Sequence, residues 1–167
     1  MPIVFTGRVF SVEVDKVRLP NGREHEVAVV RHPPAVVLIP MQDSHRVILV
    51  RQYRHSVRRE LWELPAGSVD QGESAEAAAW RECAEETGLV PHRIEQLGAF
   101  DPTPGYCDEQ MIFFRVSDLR APEPGSPFAP DEDEDIHATA FAIDEARQMV
   151  ARGEIVDLKT AYGLTLI

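Results

Sequence analysis

The sequence predicts one α+β domain, and three observations carry that reading. Short apolar or alternating runs of strand length recur along the chain. One alanine-rich segment has the caps and composition of a helix. Strands and helices interleave irregularly, without the strict alternation of a doubly wound fold. At 167 residues the chain is long enough for one domain and too short for two ordinary ones. With 44% hydrophobic and 27% charged residues it has a globular balance, which excludes global disorder.

The elements follow in order. Residues 8–17 alternate apolar and polar, as a half-buried strand does. Pro20-Asn21-Gly22 turns the chain and Glu24 to Arg31 returns it, which predicts an N-terminal hairpin over residues 1–33. Pro33-Pro34 ends it. Residues 35–39 and 46–50 are continuous apolar runs, as expected of strands covered on both faces. Leu61 to Pro65 reads as a further short strand. Residues 74–87 form the clearest helix, with Ser74 as N-cap and Gly88 as stop. Strands are expected at 93–100, 109–117 and 136–143, and helices at 144–152 and 157–167. Residues 121–135 hold four prolines and the run Asp131 to Asp135, and read as a long loop of the kind that is usually functional or disordered.

Charge and composition narrow the partners. The net charge of −11 argues against non-specific nucleic-acid binding and against an anionic membrane surface. No apolar run approaches ~18 residues, so no membrane span is expected. The start lacks a basic n-region, and a cytoplasmic location is the default expectation. Two cysteines, Cys83 and Cys107, make neither a disulfide framework nor a zinc site. Six scattered histidines show no ligand spacing. Fifteen arginines accompany only Lys16 and Lys159, which fits coding bias or fork-shaped recognition of phosphate.

Chemistry concentrates on the helix at 74–87. Glu82, Glu85 and Glu86 share one face, because i, i+3 and i+4 fall together. They also sit in the last turn, at the negative end of the helix dipole. Like charges at i,i+4 cost about 0.2–0.5 kcal/mol, and each acid at the wrong helix end about 0.3–1 kcal/mol more. A bound cation relieves both. Carboxylates without imidazole or thiolate favour a hard ion, Mg²⁺ or Mn²⁺. Taken alone, the cluster fits a solvated acidic face better. Cys83 points away from it and reads as a small core residue.

The surrounding pattern reverses that balance. Gly67, Glu73, Arg81, Glu82, Glu85, Glu86 and Gly88 stand at the fixed positions of Gly-x5-Glu-x7-Arg-Glu-U-x-Glu-Glu-x-Gly-U, with U apolar. Residues 67–89 therefore resemble the Nudix box, with cysteine at the first U as a mild departure. The resemblance implies an α/β/α sandwich, a mixed sheet between helices, extended here by the N-terminal β-hairpin. It implies hydrolysis of a nucleoside diphosphate linked to another moiety, with divalent ions neutralising the diphosphate and activating water while a carboxylate takes the proton. Carried over position by position, Glu82 and Glu86 bind metal, Glu85 assists, and the Ala66 carbonyl is a further ligand. Glu73 and Arg81 brace the loop, the alternative being a solvent-exposed ion pair of little worth.

Four features resemble the ADP-ribose pyrophosphatase subgroup. Pro104 lies 15 positions past Leu89, followed by Gly105, with an ordinary turn as the alternative. Gln52-Tyr53-Arg54, then Trp62-Glu63-Leu64-Pro65-Ala66-Gly67, resembles the lead-in to the box. Arg51, Arg54, Glu63, Pro104 and Gly105 are accordingly the substrate-binding candidates. Arg54 matches the arginine that contacts substrate phosphate, within a stretch, 44–59, of five arginines, two histidines and no acid. Glu132 and Glu134 lie in an acidic run that resembles the subgroup's source of a general base and of a further metal ligand, Glu134. The hairpin resembles strands exchanged across a homodimer. The implied reaction is ADP-ribose to AMP and ribose 5-phosphate, with Mg²⁺ as cofactor (Mn²⁺ as alternative), a small nucleotide-sugar substrate, no nucleic acid and no membrane. The alternatives are another sugar nucleotide such as GDP-mannose, or a non-catalytic Nudix ligand-binding module. The second is disfavoured because the box keeps its glutamates. Tyr53, Tyr106 and Phe100 stay open between base stacking and packing.

Overall fold

A computed structural model describes residues 2–123 and 136–167. Ten strands and three helices follow one another among these residues. They are β1 (Ile3–Thr6), β2 (Ser11–Arg18), β3 (Glu24–Arg31), β4 (Ala35–Pro40), β5 (Arg46–Arg54), β6 (Arg59–Glu63), β7 (Ala66–Ser68), α1 (Ala75–Thr87), β8 (Val90–Phe100), β9 (Met111–Arg120), β10 (His137–Ala142), α2 (Ile143–Ala151) and α3 (Leu158–Gly163).

The centre is a four-stranded mixed sheet in the order β7-β4-β9-β8. β4 and β9 run parallel and the other pairs antiparallel. β4 is buried along its whole length, as its continuous apolar run requires. Alternation along β4 and β9 splits the core in two. Val36, Leu38, Phe114 and Val116 face α1 through Ala78, Ala79 and Cys83. Val37, Ile39 and Phe113 face the other way, onto Val47 and Leu49 of β5, Ala146 and Met149 of α2, and Leu164 beyond α3. The sheet is therefore sandwiched between helices, as the α/β/α expectation has it. Cys83 is a core residue, and burial pushes its thiol up to about 12.

A second sheet, β10-β5-β6, is antiparallel throughout. The third, β1-β2-β3, stands apart and joins the rest mainly through the bridge of Val30 to Cys107 and through Arg31, which grips Asp108 at 2.9 Å and Glu13 at 2.8 Å. It holds the expected hairpin, turned by the hydrogen bond from Gly22 N to Leu19 O at 2.8 Å. It also holds β1, which the sequence reading missed because four residues show too little alternation to register. Phe5 is 52% exposed and Phe10 41% exposed, and the two rings lie 5.8 Å apart on this sheet.

Candidate active site

The helix that carries the glutamates is built as its sequence dictates. Ser74 Oγ accepts from Ala77 N at 3.1 Å, and Gly88, at φ 69°, closes the last turn by donating to Ala84 O at 3.0 Å. α1 lies along β4 and β7, which brings Glu82, Glu85 and Glu86 to the edge strand Ala66–Ser68. Together they line a cavity of about 620 Å³ with Arg8, Val9, Arg54, Arg81 and Ile136 among the other walls.

Arg81 organises this wall. Its Nε and Nη2 pair with the two oxygens of Glu73 at 3.1 and 3.0 Å, and Nη2 also reaches Ser68 O at 3.0 Å. Its Nη1 stands between two box carboxylates, 2.5 Å from Glu82 and 3.0 Å from Glu85. Hydrogen bonding to Glu73, then to Glu82 and Glu85, holds the guanidinium well above its ordinary pKa, against the effect of burial. The reverse effect of Arg81 holds Glu73 below the usual carboxylate range. The Glu73–Arg81 brace is thus partly buried and bidentate, and the surface-ion-pair alternative does not describe it.

Glu82 is 9% exposed. Its carboxylate lies against Gly67, where an added Cβ would fall 2.0 Å from it. Glu86 Oε2 accepts from Ala66 N at 3.2 Å. Oxygen donors on a water-accessible cavity wall, beside a glycine that makes room for a carboxylate, fit a hard divalent ion. The carboxylates are turned to Arg81 and to the Ala66 amide, and among the described residues no three acidic, His or Cys side chains converge as a ligand set. Arg81 Nη1 engages one oxygen of Glu82 and one of Glu85.

Arg54, at the end of β5, lines the same cavity. Glu63, 1% exposed, accepts from its Nε at 2.8 Å and its Nη2 at 2.7 Å, a fork-to-fork pair. Burial pushes the Glu63 carboxyl up, but Arg54 and Lys159 outweigh it and hold the group below its ordinary value. Lys159 Nζ donates to the same Glu63 oxygen that Arg54 Nη2 uses.

The other substrate candidates, Arg51, Glu63, Pro104 and Gly105, do not line the glutamate cavity. Arg51 sits three residues before Arg54 on one strand, and period two sends it to the opposite face. There it pairs with Glu60 and lies 5.8 Å over the Trp62 ring. Both oxygens of Glu63 accept from cations, so it holds Arg54 in place. Pro104 and Gly105 are exposed in a turn closed by Tyr106 N to Thr103 O at 3.2 Å, and they do not line the glutamate cavity. In the single chain this is the ordinary-turn alternative. Phe100 packs on Tyr162 and Phe113 at 4.9 and 5.7 Å, and like Tyr53 and Tyr106 it is exposed. Glu132 and Glu134 lie outside the described residues; Ile136, which follows them in the chain, lines the cavity.

Arg8 and Val9 were not singled out from the sequence. They belong to the β1–β2 connection, and only the placement of the third sheet brings them to the cavity. The alternation over residues 8–17 reads Arg8 and Val9 as strand, whereas β2 begins at Ser11 and leaves both in the connection before it.

Comparison with known proteins agrees with this geometry. A family model described as the NUDIX domain matches residues 31–159. An ADP-ribose pyrophosphatase from Bacillus subtilis (strain 168) is 34% identical over 161 residues, 96% of this chain and 86% of that protein. An ADP-ribose pyrophosphatase from Mycobacterium tuberculosis is 40% identical over 163 residues, 97% of this chain and 78% of that protein. A methanol dehydrogenase activator from Bacillus methanolicus is 36% identical over 161 residues, 96% of this chain and 86% of that protein. A crystal structure of an ADP compounds hydrolase superposes with a TM-score of 0.81 at 24% identity, over 99% of this chain and 88% of that one, which shows a shared fold.

Proposed function

The chain belongs to the Nudix hydrolases, and from that premise we propose that it cleaves ADP-ribose to AMP and ribose 5-phosphate with Mg²⁺. The observation that carries the reading is that Glu82, Glu85, Glu86 and Arg54 line one cavity. A nucleotide sugar is a diphosphate with an arm on each side, and such a cavity offers the diphosphate a cationic wall and a metal-binding wall. Full-length similarity to two ADP-ribose pyrophosphatases supports the choice of substrate.

Divalent metal is a requirement of the family. Glu82 and Glu86, with the Ala66 carbonyl beside them, are the residues we assign to hold it, with Glu85 and Glu134 as further ligands. A divalent ion there supplies charge neutralisation and lowers the pKa of water. The chain's own residues do the rest. Arg54, fixed by Glu63, orients the phosphates, and Arg81 sets the wall from which the carboxylates act. We assign the proton to Glu132 or Glu134, with Glu85 as the alternative acceptor. The apolar surface of β1 and of the connection to β2 supports a homodimer built on the third sheet. No helix among the described residues is long and apolar enough to cross a membrane.

The test is a panel of ADP-ribose, GDP-mannose, UDP-glucose, NADH and a diadenosine polyphosphate, each with Mg²⁺, with products resolved by chromatography. AMP from ADP-ribose, abolished by chelator and by Glu86→Gln, is the expected result. A higher kcat/KM on another sugar nucleotide overturns the substrate and keeps the chemistry. Comparing Glu132→Gln, Glu134→Gln and Glu85→Gln then identifies the proton acceptor, as the variant whose kcat collapses while Mg²⁺ affinity persists.

A further inference from the structure

A buried charge network lies directly behind Arg54. Glu63 Oε2 is shared by Arg54 Nη2 at 2.7 Å and by Lys159 Nζ. Lys159 in turn donates to Asp157 Oδ2 at 3.0 Å. That same Asp157 oxygen caps α3 by accepting from Thr160 N at 3.0 Å and from Thr160 Oγ1 at 2.6 Å. Thr160 Oγ1 accepts from Leu64 N at 2.7 Å, which ties α3 to the segment leading into Ala66 and Gly67.

The network holds two cations and two carboxylates, and Lys159 decides its balance. Without Lys159 the remaining three groups carry a net negative charge beside a cavity already lined by three glutamates. Glu63, almost wholly buried, then depends on Arg54 alone to offset its charge. The Lys159 side chain is itself only 9% exposed, and its ammonium is engaged by Glu63 and Asp157. A lysine suits the place. Its compact ammonium takes the edge of one oxygen, while the planar fork of Arg54 keeps both oxygens of Glu63. Arg54 Nη1 has no hydrogen-bond partner among the described residues and is left for an anion in the cavity.

We infer that Lys159 is a positioning residue for the substrate diphosphate. It neutralises Glu63, and so leaves the charge and the outer donors of Arg54 available to the phosphates. This rests on the proposed role of Arg54, and the experiment separates the two. Steady-state kinetics with ADP-ribose and Mg²⁺ are measured for Arg54→Gln, Lys159→Met and the double variant, well below their melting temperatures. Lys159→Gln stands in if the methionine variant does not fold. The expected result is a KM raised about tenfold by Lys159→Met with kcat within about twofold, and a double variant no worse than Arg54→Gln alone. A lowered melting temperature with unchanged KM overturns the proposal and makes Lys159 a packing residue. Effects that multiply in the double variant also overturn it, because Lys159 then acts independently of Arg54. An unchanged KM in Arg54→Gln overturns the assignment of Arg54 to the phosphates, and this inference with it.

Discussion

The carboxylate of Glu82 occupies the space where any side chain at position 67 would begin: a Cβ on Gly67 would lie 2.0 Å from it. The glycine is there for that approach, since its φ is not left-handed. Gly67→Ala is expected to push Glu82 aside, with an overpacking cost of about 1–3 kcal/mol. The displaced ligand lowers kcat/KM by roughly 10²-fold. Thermal unfolding and kinetics on the same preparation check both. Full activity in the alanine variant would mean that Glu82 does not have to stand there.

The Glu73–Arg81 brace makes acid stability a readout of the box. Hydrogen bonding to Arg81 holds Glu73 below its ordinary value of 4.5. A depressed carboxyl stabilises the fold above that ordinary value, and the contribution is lost as pH falls through the lower folded value. The melting temperature of the native chain is therefore expected to drop more steeply below about pH 5 than that of Glu73→Gln. Parallel slopes would show that the brace contributes no pH-dependent stability.

Arg8 reaches the cavity from the third sheet and is exposed, so its loss removes charge without removing core. Arg8→Ala is expected to raise KM for ADP-ribose about tenfold, equivalent to about 1.4 kcal/mol. The melting temperature should stay unchanged. The effect shrinks with added salt if the contact is electrostatic. An unchanged KM at low salt makes Arg8 a surface residue only.

The exposed rings and aliphatics of β1 and of the connection to β2 predict how the chain behaves in solution. Light scattering should report twice the chain mass of 18.7 kDa. Replacing Val4 and Phe5 by glutamate should return the mass to that of one chain, because charges on such a face cannot be buried in pairs. A native chain that runs as a monomer removes the proposed dimer.

The α+β character and the glutamate helix were legible because both depend on local signals, whereas the sandwich followed only from the resemblance of residues 67–89 to the Nudix box. Ser74, the alanines and Gly88 set α1, and apolar runs set β4 and β5. β7 was not legible, since Ala66–Ser68 is too short for a period and acquires its strand geometry from pairing with Ala35, Val36 and Val37. β6 was placed two residues late because its exposed, charged start hides the pattern. At the site, the box located the carboxylates and Arg81. It did not show Arg81 reaching two of them, because rotamers do not follow from spacing. Arg51 and Arg54 looked alike in sequence and part company through strand parity. Lys159 and Arg8 come from opposite ends of the chain, and only tertiary placement brings them near the cavity.

The tie between Glu63 and Lys159 spans 96 positions. A ribosome that has released the box helix has therefore not yet made the lysine that backs Arg54. Catalytic helix and phosphate clamp mature at different times on a growing chain, and contacts so distant in sequence form late in folding as well. A nascent or truncated chain that ends before Asp157 carries the carboxylates without the balanced clamp. On the proposed roles, the phosphate clamp is complete only once α3 has docked.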